Sequence, residues 1–296
     1  MRFQFITEHR AEFPVRRMCE MLNVSPSGYY AWCKRPPSAR EMANEELLTE
    51  IEAVFEKSRK TYGSPRVYKK LKDKVRCSEN RIARLMRLRG LKAKQAKRYK
   101  TTTKRNRAHP VAPNLLKRDF VAQRPNQKWL ADITYISTWE GWLYLATVLD
   151  LYSRNIIGWA MSERMTDDLT LNALRMALRQ RRPDLDLVHH SDQGSQYTSH
   201  DYQALLKDHG IRASMNSAGS WYDNAPMESF FGTLKSECAY HATYRTRDQA
   251  RADLFSYIEG FYNQHRIHSA LGYLSPTDFE QAYWQQQSCL TMCPPN

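Results

Sequence analysis

The 296-residue sequence has no segment fit to cross a bilayer: its longest largely apolar run, LYLATVL at 143–149, falls far short of the roughly 20 residues a spanning helix needs. No apolar leader-like stretch opens it. It also lacks a cysteine framework. The six cysteines, at 19, 33, 77, 238, 289 and 293, are scattered, and Cys289 with Cys293 has no second ligand pair at zinc spacing. These absences lead us to expect a cytoplasmic protein with free thiols, no zinc and no membrane partner. Acidic residues are nearly missing from one stretch. Between Arg59 and Arg107, twenty basic residues face only Asp73 and Glu79.

What is present is a globular composition, 42% apolar and 11% aromatic, with a net charge of +14. A one-signed basic run in such a chain points to a polyanionic partner, and nucleic acid is the natural one. Residues 13–34 read as two short helices, Val15 to Leu22 and a second opened by Ser25 with Pro26 at its first position. That pattern is helix-turn-helix-like. Its second helix, SGYYAW, offers few base-reading side chains, so DNA contact by this pair stays open. After the RPP break at 35–37, helical periodicity resumes in three segments between 44 and 91. In the last of them Ser78 is the expected cap, and Arg81, Arg84 and Arg87 lie outside the apolar stripe, as Arg66 does in the segment before it. We expect these four to contact phosphates.

The reading therefore divides the chain into a helical DNA-binding region (1–95), a basic linker (96–125), an α/β core (126–285) and a tail (286–296). In the core, WLADITYIS, WLYLATVLD and RNIIGWAM form a three-strand meander, followed by helix, strand, helix, strand, helix. In that βββαβαβα order the first and fourth strands are expected to be neighbours. Asp132 lies in the first strand among apolar residues, where an unpaired carboxylate is costly. Asp192 ends the fourth strand, at the sheet edge where open α/β folds place their sites. The final helix, opened by Asp223, Asn224 and Pro226, carries Glu228 and Lys235 on one strip beside its apolar stripe. Three carboxylates on neighbouring elements suit Mg²⁺, with Mn²⁺ as a substitute, in phosphodiester chemistry. Lys235 would meet DNA phosphate nearby.

The segments WLADITYI, TVLDLYSRNIIGW, HSDQGSQYTS, WYDNAPMESFFGTLKSE and YNQHRIHSALGYLSPTDF resemble the catalytic core of DDE transposases of bacterial insertion sequences, of the OrfB type. The resemblance implies an RNase-H-like integrase core, with a mixed five-stranded sheet and flanking helices, behind the helical DNA-binding region. Asp132, Asp192 and Glu228 match the family's triad and Lys235 its following basic residue. Also implied are Mg²⁺ dependence, strand cleavage at element ends and transfer of the 3′-OH. The implied partners are double-stranded DNA (terminal inverted repeats and target), further copies of the chain on that DNA, and the protein of an upstream reading frame.

Two other readings compete. One is a catalytically inactive DNA-binding remnant, against which the intact triad counts. The other is covalent recombination through YNQHRIH at 262–268, whose Tyr, His and Arg are too close along the chain to face one phosphate together. Within that segment, Arg266 and His268 are read as DNA contacts or as caps of the core. His190 and Asn224 are taken as supports for the acids, and Tyr222, with Trp221, as a contact for a frayed DNA end. Trp129, Trp142, Tyr144 and Trp159 are expected in the core.

Overall fold

The computed structural model describes residues 1–94, 112–183, 185–217 and 221–292, without the side chains of 221, 222 and 290–292. Residues 96–111 of the expected linker and the Tyr222 side chain thus lie outside the described residues. Two compact units are present, Met1–Glu52 and Ala53–Asn296.

In the first unit α1 (Arg2–Glu8) precedes α2 (Val15–Met21) and α3 (Pro26–Lys34). Ile6, Met18, Cys19 and Tyr29 form a small core. Asn23 turns the chain in the left-handed region, φ 54°. Ser25 then accepts the Gly28 N–H at 3.0 Å, the side-chain cap that starts α3. The next helix, α4 (Ala39–Lys57), is opened by a reciprocal cap: Glu41 takes the Ser38 N–H at 2.7 Å, and Ser38 Oγ takes the Glu41 N–H at 3.2 Å. The division between units falls within α4.

The second unit begins with α5 (Ser64–Leu71) and α6 (Glu79–Leu88). They bury Val67, Leu71, Ile82, Leu85 and Met86, and Ser78 caps α6 through the Arg81 N–H. These two helices belong with the sheet, whereas the sequence reading grouped them with residues 1–52. The physical reason is Tyr62, just before α5. Its hydroxyl donates to the His265 carbonyl at 3.0 Å and accepts the Ile267 N–H at 2.8 Å, fastening the segment to the far end of the chain.

The sheet comprises β1 (Lys128–Thr138), β2 (Gly141–Asp150), β3 (Ile156–Ser162), β4 (Val188–Ser191) and β5 (Arg212–Met215), in the order β3-β2-β1-β4-β5. The meander is antiparallel, and β1, β4 and β5 run parallel, which makes β1 the neighbour of β4. Between β3 and β4 comes α7 (Asp167–Arg181). Between β4 and β5 come α8 (Ser195–Thr198) and α9 (His200–Asp208). Residues of α7 and α9 build the main apolar core against Trp129, Ala131, Ala146, Val148 and Ile157. The approach of α7 to β3 depends on Gly158, where a Cβ would lie 2.2 Å from the Ala173 carbonyl oxygen. After β5 follow α10 (Ala225–Glu237), α11 (Arg247–Tyr257) and α12 (Pro276–Met292).

Candidate active site

Across the parallel β1/β4 pair, Leu130 lies opposite His190. Two residues further on each strand stand Asp132 and Asp192. Neighbouring strands lie about 4.8 Å apart, so this register brings Asp132, inside β1, near Asp192, which stands just past the end of β4. Each acid is steadied by a nearby amide. Asp132 Oδ1 accepts the Ile133 N–H at 2.7 Å, and Asp192 Oδ1 accepts the Gly194 N–H at 2.9 Å. A Cβ at residue 194 would sit 2.9 Å from that same Asp192 oxygen and would displace it.

Burial pushes the Asp132 carboxyl well above its usual range, and the charges of Asp192 and Glu228 push it further, while Lys235 opposes them. Asp192 is raised by burial, against the pull of the Gly194 N–H, and Glu228, though exposed, is raised by partial desolvation of its carboxyl. Burial lowers Lys235, and Asp132 works the other way. The Lys235 ammonium lies 5.0 Å from the centre of the Tyr135 ring. Asp132 therefore feels the charge of the other three groups. Such a set of acids favours a cation, since a bound divalent ion stabilises the ionised carboxylates that burial penalises. Among the described residues, no three His, Cys, Asp or Glu side chains are gathered closely enough to hold one metal ion. Asp132 and Asp192 are half-buried, and Glu228, in the first turn of α10, is exposed.

The loop that opens α10 carries groups the sequence reading assigned only in part. Asn224 occupies the cap position without capping the helix. Its Nδ2 instead donates to the Ala131 carbonyl at 3.3 Å, tying the helix start to the strand beside Asp132, and its Oδ1 is buried without a hydrogen-bond partner among the described residues. Asp223, 2% exposed, accepts from the Ser217 N–H (2.9 Å), Asn114 Nδ2 (3.0 Å) and Arg118 Nε (2.9 Å). His190 joins the same cluster. Its Nε2 meets Asn216 Oδ1 and its Nδ1 meets Ser214 Oγ, each at 2.8 Å, and Ser214 Oγ in turn accepts the Leu115 N–H at 2.9 Å. Burial lowers the His190 pKa. Sequence reasoning missed Asn114, Arg118 and the role of Asp223, because the partners lie over a hundred residues apart. A signal was nevertheless there: a carboxylate in a first turn whose neighbour can serve as the cap.

Arg266 is not a DNA contact. It is 5% exposed, and its Nε and Nη2 grip the two oxygens of Glu237 at 2.8 and 2.7 Å, which turns the guanidinium inward. Tyr257 donates to the same carboxylate at 2.8 Å, and Arg66 stands 3.7 Å from it, which draws Arg66 inward too. His268 packs edge-on to Tyr262, and burial beside Arg266, Arg66 and Arg154 lowers its pKa to about 3, so it carries no charge for a phosphate at neutral pH. Tyr262 is buried, with its phenol pushed up to about 12, and Asn263 brackets the Ile156 backbone at 3.0 and 2.9 Å. YNQHRIH is thus a packing hub, which removes the covalent-recombination reading. On α6, Arg84 and Arg87 are exposed and Arg81 is half-buried. Trp129 is buried as expected, but Trp142 is 49% exposed.

Residues 122–220 match the family model described as integrase core domain, residues 228–283 match a second model of that description, and residues 42–99 match an HTH-like domain. The helix-turn-helix match thus falls on α4 to α6, beyond the 13–34 pair singled out from the sequence. The chain is 46% identical over 269 residues to the insertion element IS600 uncharacterized 31 kDa protein of Shigella sonnei, covering 90% of this chain and 99% of that one. It is 45% identical over 287 residues to transposase InsF for insertion sequence IS3A of Escherichia coli (strain K12), covering 95% and 98%. Among solved structures, the HTLV-2 integrase catalytic core domain in complex with magnesium aligns with a TM-score of 0.43 at 16% identity, over 54% of this chain and 99% of that one.

Proposed function

The chain belongs to the integrase-core transposases of bacterial insertion sequences, and from that premise we propose that Asp132, Asp192 and Glu228 are the acids with which this DNA transposase cuts element ends and joins them to target DNA. The observation that carries the reading is the β1/β4 register. Leu130 opposite His190 brings the two aspartates near each other, and the Asp132 carboxyl responds to both Asp192 and Glu228.

In the first step a water oxygen attacks the phosphorus at the element end and the 3′ oxygen leaves, taking up a proton to give a 3′-OH. In the second, that hydroxyl attacks a target phosphorus and expels the target's own 3′ oxygen. Asp132 and Asp192, with Glu228 moving in from the exposed turn of α10, would hold Mg²⁺ or Mn²⁺. When bound, that ion supplies positive charge to offset the charge developing on phosphate oxygens. The protein's own part is positioning. The Ile133 and Gly194 amides steady the two aspartates. Asn224 holds the start of the Glu228 helix against β1. The Lys235 ammonium is suited to a charge-assisted contact with phosphate.

Exposed Arg84 and Arg87 on α6, with Arg81, are our candidates for backbone contacts that bring duplex DNA to the site. The supporting observations are the three arginines that this helix sets against one acid, Glu79, and its place in a stretch matching an HTH-like domain. Multimers on DNA and a partner from an upstream frame remain part of the proposal. The test is a supercoiled plasmid carrying the cognate ends, incubated with protein and Mg²⁺. Nicking at the ends supports the assignment. Binding without nicking, under conditions where the wild-type fold is intact, refutes it.

A further inference from the structure

Trp142 and Trp139 are exposed, at 49% and 70%, on a hairpin that is otherwise firmly held. The β1/β2 ladder pairs every residue from Trp129↔Asp150 to Thr138↔Gly141. Thr138 Oγ1 closes the turn on the Gly141 carbonyl at 2.7 Å, and the Trp139 N–H donates to the Tyr244 carbonyl at 3.1 Å. Arg247, in the first turn of α11, clamps the tip. Its Nη2 donates to the Glu140 carbonyl at 2.7 Å and its Nε to the Trp142 carbonyl at 3.2 Å. The same residue occupies both nearby acids, Glu140 through its N–H at 2.8 Å and Glu163 through Nη1 at 3.2 Å. These tryptophans are therefore presented on a rigid support, with the Glu163 carboxylate ion-paired to Arg247 and that of Glu140 held by a backbone N–H.

The aromatic surface leads toward the acids. Trp142 packs edge-on against Tyr135, with centroids 4.9 Å apart at 75°. Lys235 lies over the Tyr135 ring at 5.0 Å and within electrostatic reach of Asp132. At the turn, the Arg245 guanidinium lies 5.4 Å from the centre of the Trp139 ring. Flat aromatic faces interleaved with cations match an unpaired nucleic-acid strand, whose bases stack while its phosphates meet the charges. Duplex DNA keeps its base faces covered and would leave the tryptophans unused.

We propose that Trp142 and Trp139, with Tyr135, Lys235 and Arg245, form a stacking surface for an unpaired stretch of DNA strand beside the cleavage site. The proposal rests on the reading that places cleavage at Asp132. Its test is a binding measurement that does not depend on that reading. Full-length protein without divalent ions is titrated against three labelled probes, followed by anisotropy: a blunt duplex, the same duplex with an unpaired overhang, and a short oligo-dT. The overhang and the oligo-dT should bind the wild type through the aromatic surface. Trp142→Ala should weaken both roughly tenfold while changing the blunt duplex less than twofold, since stacking on one base is removed. Trp142→Phe should retain most of the affinity. Trp142→Leu, which keeps an apolar side chain without a stacking face, should behave like alanine and guards against a folding defect in the smaller variant. Equal affinities of wild type and Trp142→Leu for all three probes would overturn the proposal. So would equal losses on all three, or a change confined to self-association. Asp132→Asn should keep the overhang preference, so a failed acid assignment would show itself in cleavage alone.

Discussion

Leu130 lies directly opposite His190 across two parallel strands, each of which reaches an aspartate two residues later. If this register builds the reaction centre, Asp132→Asn and Asp192→Asn should each abolish Mg²⁺-dependent nicking. DNA affinity should stay within a few-fold, because phosphate contacts by Lys and Arg supply most of it. Both variants should be at least as stable as the wild type without metal, since each removes a carboxyl that burial and like charge disfavour. Glu228→Gln should also stop nicking but leave the melting temperature nearly unchanged, its side chain being exposed. Wild-type nicking by any of the three would exclude that residue from the centre.

Asp223 joins three parts of the second unit, and its loss should be felt at Glu228. Lys117 and Arg118 both adopt left-handed backbone, φ 47° and 63°. That conformation costs non-glycine residues about 1 kcal/mol or more each, and the bonds of Asn114 and Arg118 to Asp223 hold it in place. Arg118→Ala should therefore raise the Mg²⁺ concentration for half-maximal cleavage several-fold while leaving the affinity for duplex DNA unchanged. Added guanidinium ion should restore part of the loss. An unchanged metal requirement would show the contact to be merely stabilising.

The Glu237–Arg266 pair predicts an asymmetry. Removing one partner leaves a buried charge uncompensated, so Arg266→Met or Glu237→Gln alone should cost about 3–5 kcal/mol of unfolding free energy. The double variant should recover much of that, and urea melts of the three proteins measure it. Duplex binding at equal folded fraction should not change, as Arg266 is enclosed.

Arg84 and Arg87 carry the contrasting expectation. Replacing both with Ala should leave stability within about 0.5 kcal/mol. It should also flatten the dependence of log affinity on log salt by about 0.9 for each phosphate that is no longer neutralised. A salt slope equal to that of the wild type would remove α6 from the DNA interface.

The strand order and the β1/β4 neighbourhood were legible because they rest on local patterns, alternating apolar strands and helices between them, and the same kind of pattern, an aspartate out of place in a strand and a cap before an amphipathic helix, is what singled out the three proposed acids. What could not be read were pairings set by tertiary contact. The basic character of Arg66 and Arg266 suggested phosphate, yet Glu237, which reads as an ordinary helix-end acid, is buried and draws both of them in. The compact units divide at Glu52/Ala53, and Tyr62 and Lys94 bond to backbone more than a hundred residues away, links that no local pattern announces. Trp142, expected in the core with the other strand aromatics, is 49% exposed because it lies near the strand's open end.

His268 yields a prediction in pH. Its folded pKa is lowered to about 3, chiefly by burial and then by Arg266, Arg66 and Arg154, against about 6.5 in an unfolded chain. Above pH 6.5 both states leave the ring neutral, and the site costs nothing. As pH falls from 6.5 toward 3 the unfolded chain takes up the proton first, so stability is lost across that window by up to about 1.4 kcal/mol per pH unit. His189, also lowered to about 3 by burial, contributes a second proton of the same sign. The wild type alone therefore cannot isolate either ring, whereas a comparison of slopes can. Between pH 6 and pH 5, urea melts of His268→Gln should show a fall in unfolding free energy about 1 kcal/mol smaller than that of the wild type. The absolute stability of the variant does not enter, because the comparison is one of slopes. Parallel slopes for the two proteins would mean that His268 accepts a proton in the folded state, and that the surrounding arginines do not hold it neutral.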